Sequence, residues 1–387
     1  MNDPLEERAR YYARKAVLAD KNGRYDEALK NYRKAIELFQ HLVRLRPDSA
    51  FTSFYVELLK KYTDRVKVLE KLAQGEIIGP PGRGSSGEQG SEEVEFEIYP
   101  PDSPGRPKIT FNDVVGLYEV KKALKRSVVY PVRRPELFPL GWPRGILLFG
   151  PPGCGKTYIV AALANEVNAY LFKVSAANIM SKWLGEAEKN VAKLFKKARE
   201  IASKGDPVIV FIDEVDGLLR VYNEEIGGEA RVKNQFLMEM DGLQDKDNKL
   251  LLFVIGTTNK PWLLDIGFVR RFQKRIYVPP PDLETRRELF KYYISKAMKG
   301  PIKIGSDVDI DKLARLTEGY SSHDIENIVM ETLLEVVDEH FESTGGNGEP
   351  REIRMEDFVR TIKRVRPSIN PKHISTYMEW SERYASI

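Results

Sequence analysis

The run Gly150-Pro151-Pro152-Gly153-Cys154-Gly155-Lys156-Thr157 places a lysine and a hydroxyl at the end of a glycine-rich turn. It follows the apolar run Ile146 to Phe149 and opens a helical pattern from Tyr158 to Val167, the setting that a phosphate-binding loop requires. Glycines let backbone N–H groups close around phosphate oxygens, and a helix N-terminus adds positive potential. In such a loop Lys156 reaches the β- and γ-phosphates and the Thr157 hydroxyl ligates magnesium. The expected ligands are therefore ATP and Mg2+.

A second constellation lies further along. Val208 to Ile212 is apolar throughout and ends in Asp213-Glu214, so a buried strand would present two acids at the carboxyl edge of a sheet, where α/β folds bind ligands. Asp213 then suits a magnesium carboxylate and Glu214 a group that polarises an attacking water. Adjacent acids at a strand end could instead be a helix N-cap and a solvated acid. Asn259 ends the run Ile255-Gly256-Thr257-Thr258-Asn259; its amide could orient the water or touch the γ-phosphate, or it could be a turn residue. Together these residues predict a magnesium-dependent ATPase.

The elements that must position them are short apolar runs alternating with helical stretches: Ile146 to Phe149, Leu171 to Val174, Val208 to Ile212, Leu250 to Ile255 and Arg275 to Val278. Doubly apolar runs of that length read as parallel strands buried on both faces. From about Asp282 the strand signals stop and helical ones continue. At the other end, Tyr25, Ala28, Leu29, Tyr32, Ala35, Ile36, Phe39, Leu42 and Val43 recur at helix spacing. Stripes at Leu5, Ala9, Tyr12, Ala16 and at Phe54, Leu58, Tyr62, Val66, Leu69 flank it, separated by Lys21-Asn22-Gly23 and Pro47-Asp48. Three helices make a small bundle. A single tetratricopeptide unit would read similarly, but no repeat at that period follows. Between bundle and sheet, residues 75–108 are rich in Gly, Pro, Ser and Glu, a composition suited to a tether.

Composition narrows the classes. The chain has 387 residues, 42% of them hydrophobic, enough for several cored units. A formal charge of +4 argues against a protein that coats nucleic acid. Residues 1–75 are locally basic, with 16 Lys and Arg against 11 Asp and Glu. The single Cys154 excludes an internal disulfide, and the four histidines form no Cys/His ligand cluster. No apolar run approaches a membrane span or signal sequence. The expected location is the cytoplasm, with recruitment to a division site or membrane by a partner.

The chain resembles AAA+ ATPases of the meiotic clade, in particular the vacuolar-sorting type that disassembles ESCRT-III filaments and its archaeal relatives in Cdv cell division. The resemblance rests on the loop above and on Ser181-Lys182-Trp183-Leu184-Gly185-Glu186-Ala187-Glu188-Lys189-Asn190. It rests also on the Asp213-Glu214 strand, Gly228-Glu229-Ala230-Arg231, the Asn259 strand, Phe268-Val269-Arg270-Arg271-Phe272 and Gly319-Tyr320-Ser321-Ser322-His323-Asp324-Ile325, in family order. Residues 1–74 separately resemble an MIT domain. The implied organisation is an all-α bundle (1–74), a flexible linker (75–108), a large α/β AAA+ domain with a parallel P-loop sheet (109–281) and a small helical lid domain ending in a C-terminal helix (282–387).

The resemblance implies site residues that spacing alone does not. Arg270 and Arg271 would act on the γ-phosphate of a neighbouring subunit, which requires a ring, normally a homo-hexamer; without the likeness they read as a surface ion pair. Asp113, Val115 and Gly116 would frame the adenine, mainly through backbone groups. Pro151, Pro152, Gly153, Cys154, Gly155 and Tyr158 complete the nucleotide shell. Lys182, Trp183 and Leu184 would form a pore loop gripping an extended polypeptide, although a core Trp is an alternative. Gly227 to Lys233 reads as a second pore loop or as an ordinary helix start. Ser321 and Asp324 fit a capping box, with no catalytic role for His323. Phe341 to Arg351 fills the place where eukaryotic vacuolar-sorting members carry a β-domain. Cys154 reads as a redox group or an inert filler.

The implied partner is an ESCRT-III-like filament protein, bound by residues 1–74 and by the central pore, with no direct nucleic acid and only indirect contact with membrane. The implied function is filament disassembly in cell division and membrane scission. A katanin-like microtubule-severing ATPase and a nucleotide-switched adaptor without remodelling activity are the alternatives. The adaptor has no use for Glu214 or for the arginine pair.

Overall fold

Strands that are apolar on both faces must be covered on both faces, and the sheet of this protein is. The computed structural model describes residues 4–21, 24–45, 59, 62, 63, 65, 66, 69, 97–175, 187–219, 227–243, 249–298 and 300–386. Among the described residues six strands form one sheet: β1 (Glu97–Tyr99), β2 (Gly145–Phe149), β3 (Tyr170–Ser175), β4 (Val208–Asp213), β5 (Leu252–Thr258) and β6 (Lys274–Tyr277), in the order β1-β3-β4-β5-β2-β6. All neighbours pair in parallel except β1, which runs antiparallel to β3.

Alternate residues supply two cores. Leu147, Phe149, Val208, Val210 and Ile212 point to the face covered by helices Ala187–Ala202 and Gly227–Leu243. Ile146, Leu148, Ile209 and Phe211 point to the face covered by helix Lys156–Glu166 and by the helical segment from Tyr118 to Arg133.

Each of the five expected strands is present within a few residues. The largest difference is β5, which runs on to Thr258; Gly256 tolerates no side chain because a Cβ there would come within 2.9 Å of Val215. The sixth strand corrects the tether. Its expected span of 75–108 takes in β1, and Arg106 is buried, donating to Ala169 O at 2.7 Å and to Asn165 Oδ1 at 2.5 Å. Asn165 in turn donates to Pro107 O and Ile109 O. A three-residue edge strand leaves too short an alternation to be read from composition.

The lid core gathers Leu289, Phe290, Ile325, Ile328 and Phe358 from helices Leu283–Ala297, Ser322–Thr344 and Met355–Arg364. Asp282, Asp309 and Ser321 cap lid helices through their side chains. Helix Ser322–Thr344 takes in Phe341 and stops at Gly345, whose φ of 64° closes it in the left-handed conformation. The last helix, Pro371–Tyr384, departs from expectation. Expected as part of the lid domain, it buries Tyr377 and Trp380 in the core of the sheet, with Trp380 edge-on to Phe149 at 4.4 Å.

The amino-terminal residues form a separate unit, divided from the rest near Ser91. In helices Pro4–Lys21 and Tyr25–Leu45, Ala9 and Ala13 meet Ala35 and Phe39, while Ala16 and Ala19 meet Ala28 and Tyr32. That order is antiparallel, and the alanines permit close approach. The described residues of the third stripe, Tyr62, Val66 and Leu69, are helical and join these clusters; Phe54 and Leu58 lie outside the described residues. Arg65 forks onto Asp20 with two bonds of 2.8 Å, and Tyr32 donates to the same carboxylate. Two of the three expected helices thus lie within the described residues, and most of the segment carrying the third stripe lies outside them.

Candidate active site

The loop after β2 turns on glycines in conformations that other residues avoid. Gly155, at φ 86°, caps helix Lys156–Glu166, which starts two residues before the expected Tyr158. Gly153, at φ 72°, lies so near the lid that a Cβ would fall 2.5 Å from Ser321 Oγ. The Lys156 ammonium is buried and donates to Gly150 O at 2.9 Å and Pro151 O at 2.6 Å. Burial pulls its pKa down to about 8, against the pull of Asp213, Asp216 and Glu214. A buried cation held only by carbonyl oxygens has capacity for an anionic ligand.

The end of β4 brings the predicted acids to this loop. The Thr157 hydroxyl lies 3.1 and 3.3 Å from the two Asp213 carboxylate oxygens, and Thr257 on β5 donates to Asp213 Oδ1. Glu214 follows with φ 52°, outside the strand region, and its side chain is exposed at the cavity wall. Such a backbone angle costs roughly 1–2 kcal/mol in a non-glycine residue. It is held by the bond from Glu214 N to Thr257 Oγ1 and by Val215 N donating to Thr257 O. Asn259 also lines the cavity, and its Oδ1 is buried with no partner among the described residues.

These groups share a cavity of about 490 Å³. The cavity is also lined by Asp113, Val114, Val115 and Leu117, by Tyr158, and by Leu289, Tyr293 and Lys296 of the lid. The Asp113 carboxylate accepts from Thr110 N and Thr110 Oγ1, bonds that hold its pKa below the usual range. It is engaged as a turn cap. Gly116 does not line the cavity; at φ 63° it packs where a Cβ would strike Thr285. Burial raises the Tyr158 phenol to about 12, so it is neutral at ordinary pH. Leu289, Tyr293, Lys296 and Thr257 were not legible from sequence, because only the fold of the lid over the loop brings them here.

The lid is stapled to the loop by His323 N donating to Gly153 O at 3.0 Å. The Ser321 and Asp324 capping box is present as expected, and the His323 ring is exposed, beside Glu326. Cys154 is buried, and burial pushes its thiol up to about 12. That suits an inert filler, since thiolate is the reactive form.

Arg270 and Arg271 close helix Ile266–Arg271, and neither lines the cavity of its own chain. Arg271 forks onto Asp241 at 2.9 and 3.0 Å and also donates to Gly267 O. Arg270 is exposed. Lys182, Trp183 and Leu184 lie outside the described residues. Gly227 to Lys233 forms the start of helix Gly227–Leu243, with Lys233 buried, the helix-start alternative for that segment. No group of three His, Cys, Asp or Glu side chains suited to a metal occurs among the described residues. One carboxylate and one hydroxyl fit a magnesium ion that takes its remaining ligands from phosphate and water.

A parallel sheet, a glycine loop opening a helix, and an acid pair on the adjacent strand define a P-loop nucleoside triphosphatase. Residues 146–280 match the ATPase family associated with various cellular activities (AAA), residues 6–71 the MIT (microtubule interacting and transport) domain, and residues 345–384 the Vps4 C terminal oligomerisation domain. The chain is 50% identical over 384 residues to Cell division protein C of Sulfolobus acidocaldarius, covering 99% of this chain and 98% of that one. It is 37% identical to Vacuolar protein sorting-associated protein 4A of Rattus norvegicus, covering 72% of each. The crystal structure of the FIGL-1 AAA domain in complex with ADP superposes with a TM-score of 0.64 at 32% identity, covering 76% of this chain and 95% of that one. The chain belongs to the AAA ATPases, in the group that joins an MIT domain to a Vps4-type carboxyl terminus, and it is an ATPase.

Proposed function

We propose that this ATPase works as a homo-hexameric ring that draws subunits out of ESCRT-III-like filaments in archaeal cell division and membrane scission. The observation that carries the reading is the arginine pair. A chain with its own loop, acids and Asn259 around one cavity, yet with Arg270 and Arg271 on a helix outside that cavity, has a site that a neighbour can complete. The Vps4 oligomerisation domain, the MIT domain and the relatives in cell division and vacuolar sorting support the ring and the filament partner.

In this reading Lys156 and the loop N–H groups bind the nucleotide phosphates. Thr157 and Asp213 would hold magnesium, which when bound neutralises charge on the transferred phosphoryl group. Glu214 accepts the proton of the attacking water, and the Asn259 amide orients that water. The basic amino-terminal unit selects the filament subunit, and Trp183 grips it in the channel. The chain acts in the cytoplasm, brought to the division site by its partner.

The test is disassembly of preformed ESCRT-III-like filaments, followed by sedimentation with ATP. Wild-type chain should release subunits, while Trp183→Ala should turn over ATP without releasing them. Release by Trp183→Ala would sink the pore-loop role, and severing of tubulin polymer with no effect on ESCRT-III-like filaments would favour the microtubule alternative.

A further inference from the structure

Helix Pro371–Tyr384 falls within the region matched by the oligomerisation domain, yet it packs on its own chain and touches Asn259, which lines the candidate site. Tyr377 is buried, and its hydroxyl donates to the Asn259 carbonyl at 2.5 Å. The ladder between β2 and β5 ends one residue earlier, at Phe149 and Thr258. The Asn259 carbonyl thus lies beyond the strand pairing, and the Tyr377 hydroxyl supplies the bond that a neighbouring strand would otherwise give. The direction of a side chain is set by its backbone. A fixed Asn259 carbonyl therefore helps aim the side chain of Asn259, a residue that lines the cavity and whose buried Oδ1 has no partner among the described residues.

The hydroxyl is itself rigidly placed. The Tyr377 ring lies 5.1 Å from Trp262, just after Asn259 in the chain, and 6.1 Å from Tyr277 at the end of β6. Trp380, one turn on, packs against Phe149, the residue before the phosphate loop. The chain entering this helix is anchored to the lid. Ser368 donates to Asp324 through its backbone N at 3.0 Å and its hydroxyl at 2.8 Å, and Asp324 caps the lid helix with Ser321, which lies against Gly153. The segment from Ser368 to Tyr377 thus spans from the lid to Asn259, the residue after β5.

We infer that Tyr377 is a positioning residue for hydrolysis: the carboxyl-terminal helix fixes Asn259 within its own subunit, in addition to any part it has in assembly. The inference rests on the proposed role of Asn259 toward the water or γ-phosphate. Burial of the ring needs no hydroxyl, so Tyr377→Phe separates positioning from packing.

The experiment uses the full chain. Tyr377→Phe should lower kcat about three- to tenfold, the worth of one hydrogen bond. KM and ring formation by sedimentation should stay as in wild type, and the thermal unfolding transition should fall by no more than a few degrees, the cost of one hydrogen bond. In the double variant with Asn259→Ala, the Tyr377→Phe change should add no further loss, since the group it positions is gone. An unchanged kcat, a loss that multiplies with Asn259→Ala, or a loss that tracks fewer rings or unfolding at the assay temperature overturns the inference. Normal turnover by Asn259→Ala overturns it together with the Asn259 role. Slow Asn259→Ala beside normal Tyr377→Phe overturns the inference alone.

Discussion

The Thr157 hydroxyl and the Asp213 carboxylate lie 3.1 Å apart, one from the first turn of the loop helix and the other from the end of β4. A hydroxyl and a carboxylate in that relation suit two ligands of one small, hard cation. Asp213→Asn keeps the shape and removes the charge, so it should raise the magnesium concentration needed for half-maximal ATP turnover by tenfold or more, on the order of the effect of losing a ligand charge. Titration of turnover with MgCl2 checks this; an unchanged midpoint would remove Asp213 from the metal.

Glu214 combines a strained backbone with an exposed carboxylate at the cavity wall. Strain held by two bonds to Thr257 at this position is consistent with selection for chemistry over stability. Glu214→Gln should bind ATP with near wild-type affinity and lose roughly 10²–10⁴-fold in kcat, the usual worth of a general base. Rings should accumulate with ATP. Normal turnover would transfer the base role elsewhere.

Much of this site was legible in the sequence because its chemistry is local. Gly150 to Thr157 is contiguous, and Asp213 and Glu214 end a strand whose apolar run announces itself. What was not legible depends on long-range folding. Tyr293 and Lys296 reach the cavity only when the lid closes over the loop, and Tyr377 meets Asn259 across more than a hundred residues. Strand β1 was hidden for a different reason: a three-residue edge beside a Gly- and Pro-rich stretch has no periodicity to detect. The carboxyl-terminal helix was visible as a helix, but amphipathic spacing does not say which core it enters.

The two adjacent arginines are not equivalent. Arg271 is forked onto Asp241, whose carboxylate holds its pKa above the usual guanidinium value, whereas Arg270 is exposed. A residue already engaged in cis must exchange partners to reach a neighbour's phosphate. Arg270→Ala should therefore lose the greater part of turnover, on the order of 10³-fold if it acts as a finger in trans. Arg271→Ala should lose less. Asp241→Asn, by removing the charge that holds the Arg271 fork, should narrow the gap in the Arg270→Ala background. Steady-state turnover of the three variants at a concentration where rings form decides it, and a larger loss in Arg271→Ala reverses the assignment.

Lys156 makes nucleotide binding depend on pH in a stated direction. Burial lowers its folded pKa to about 8 from the usual 10.5. Between those values the unfolded chain binds more protons than the folded one, so this group's contribution raises stability as pH increases from about 8 toward 10.5. Below about 8 the buried ammonium is charged, and desolvation is a standing cost. Phosphate reverses the preference, because an anion beside Lys156 favours the charged form. ATP affinity should hold steady below about pH 8 and fall above it, and binding at pH 9 should take up a proton. Calorimetry in two buffers of different ionisation enthalpy measures that uptake directly, and Lys156→Arg, charged throughout, should abolish it even where it binds more weakly. Equal apparent enthalpies in the two buffers at pH 9 for the wild-type chain would show that Lys156 stays protonated in the free loop.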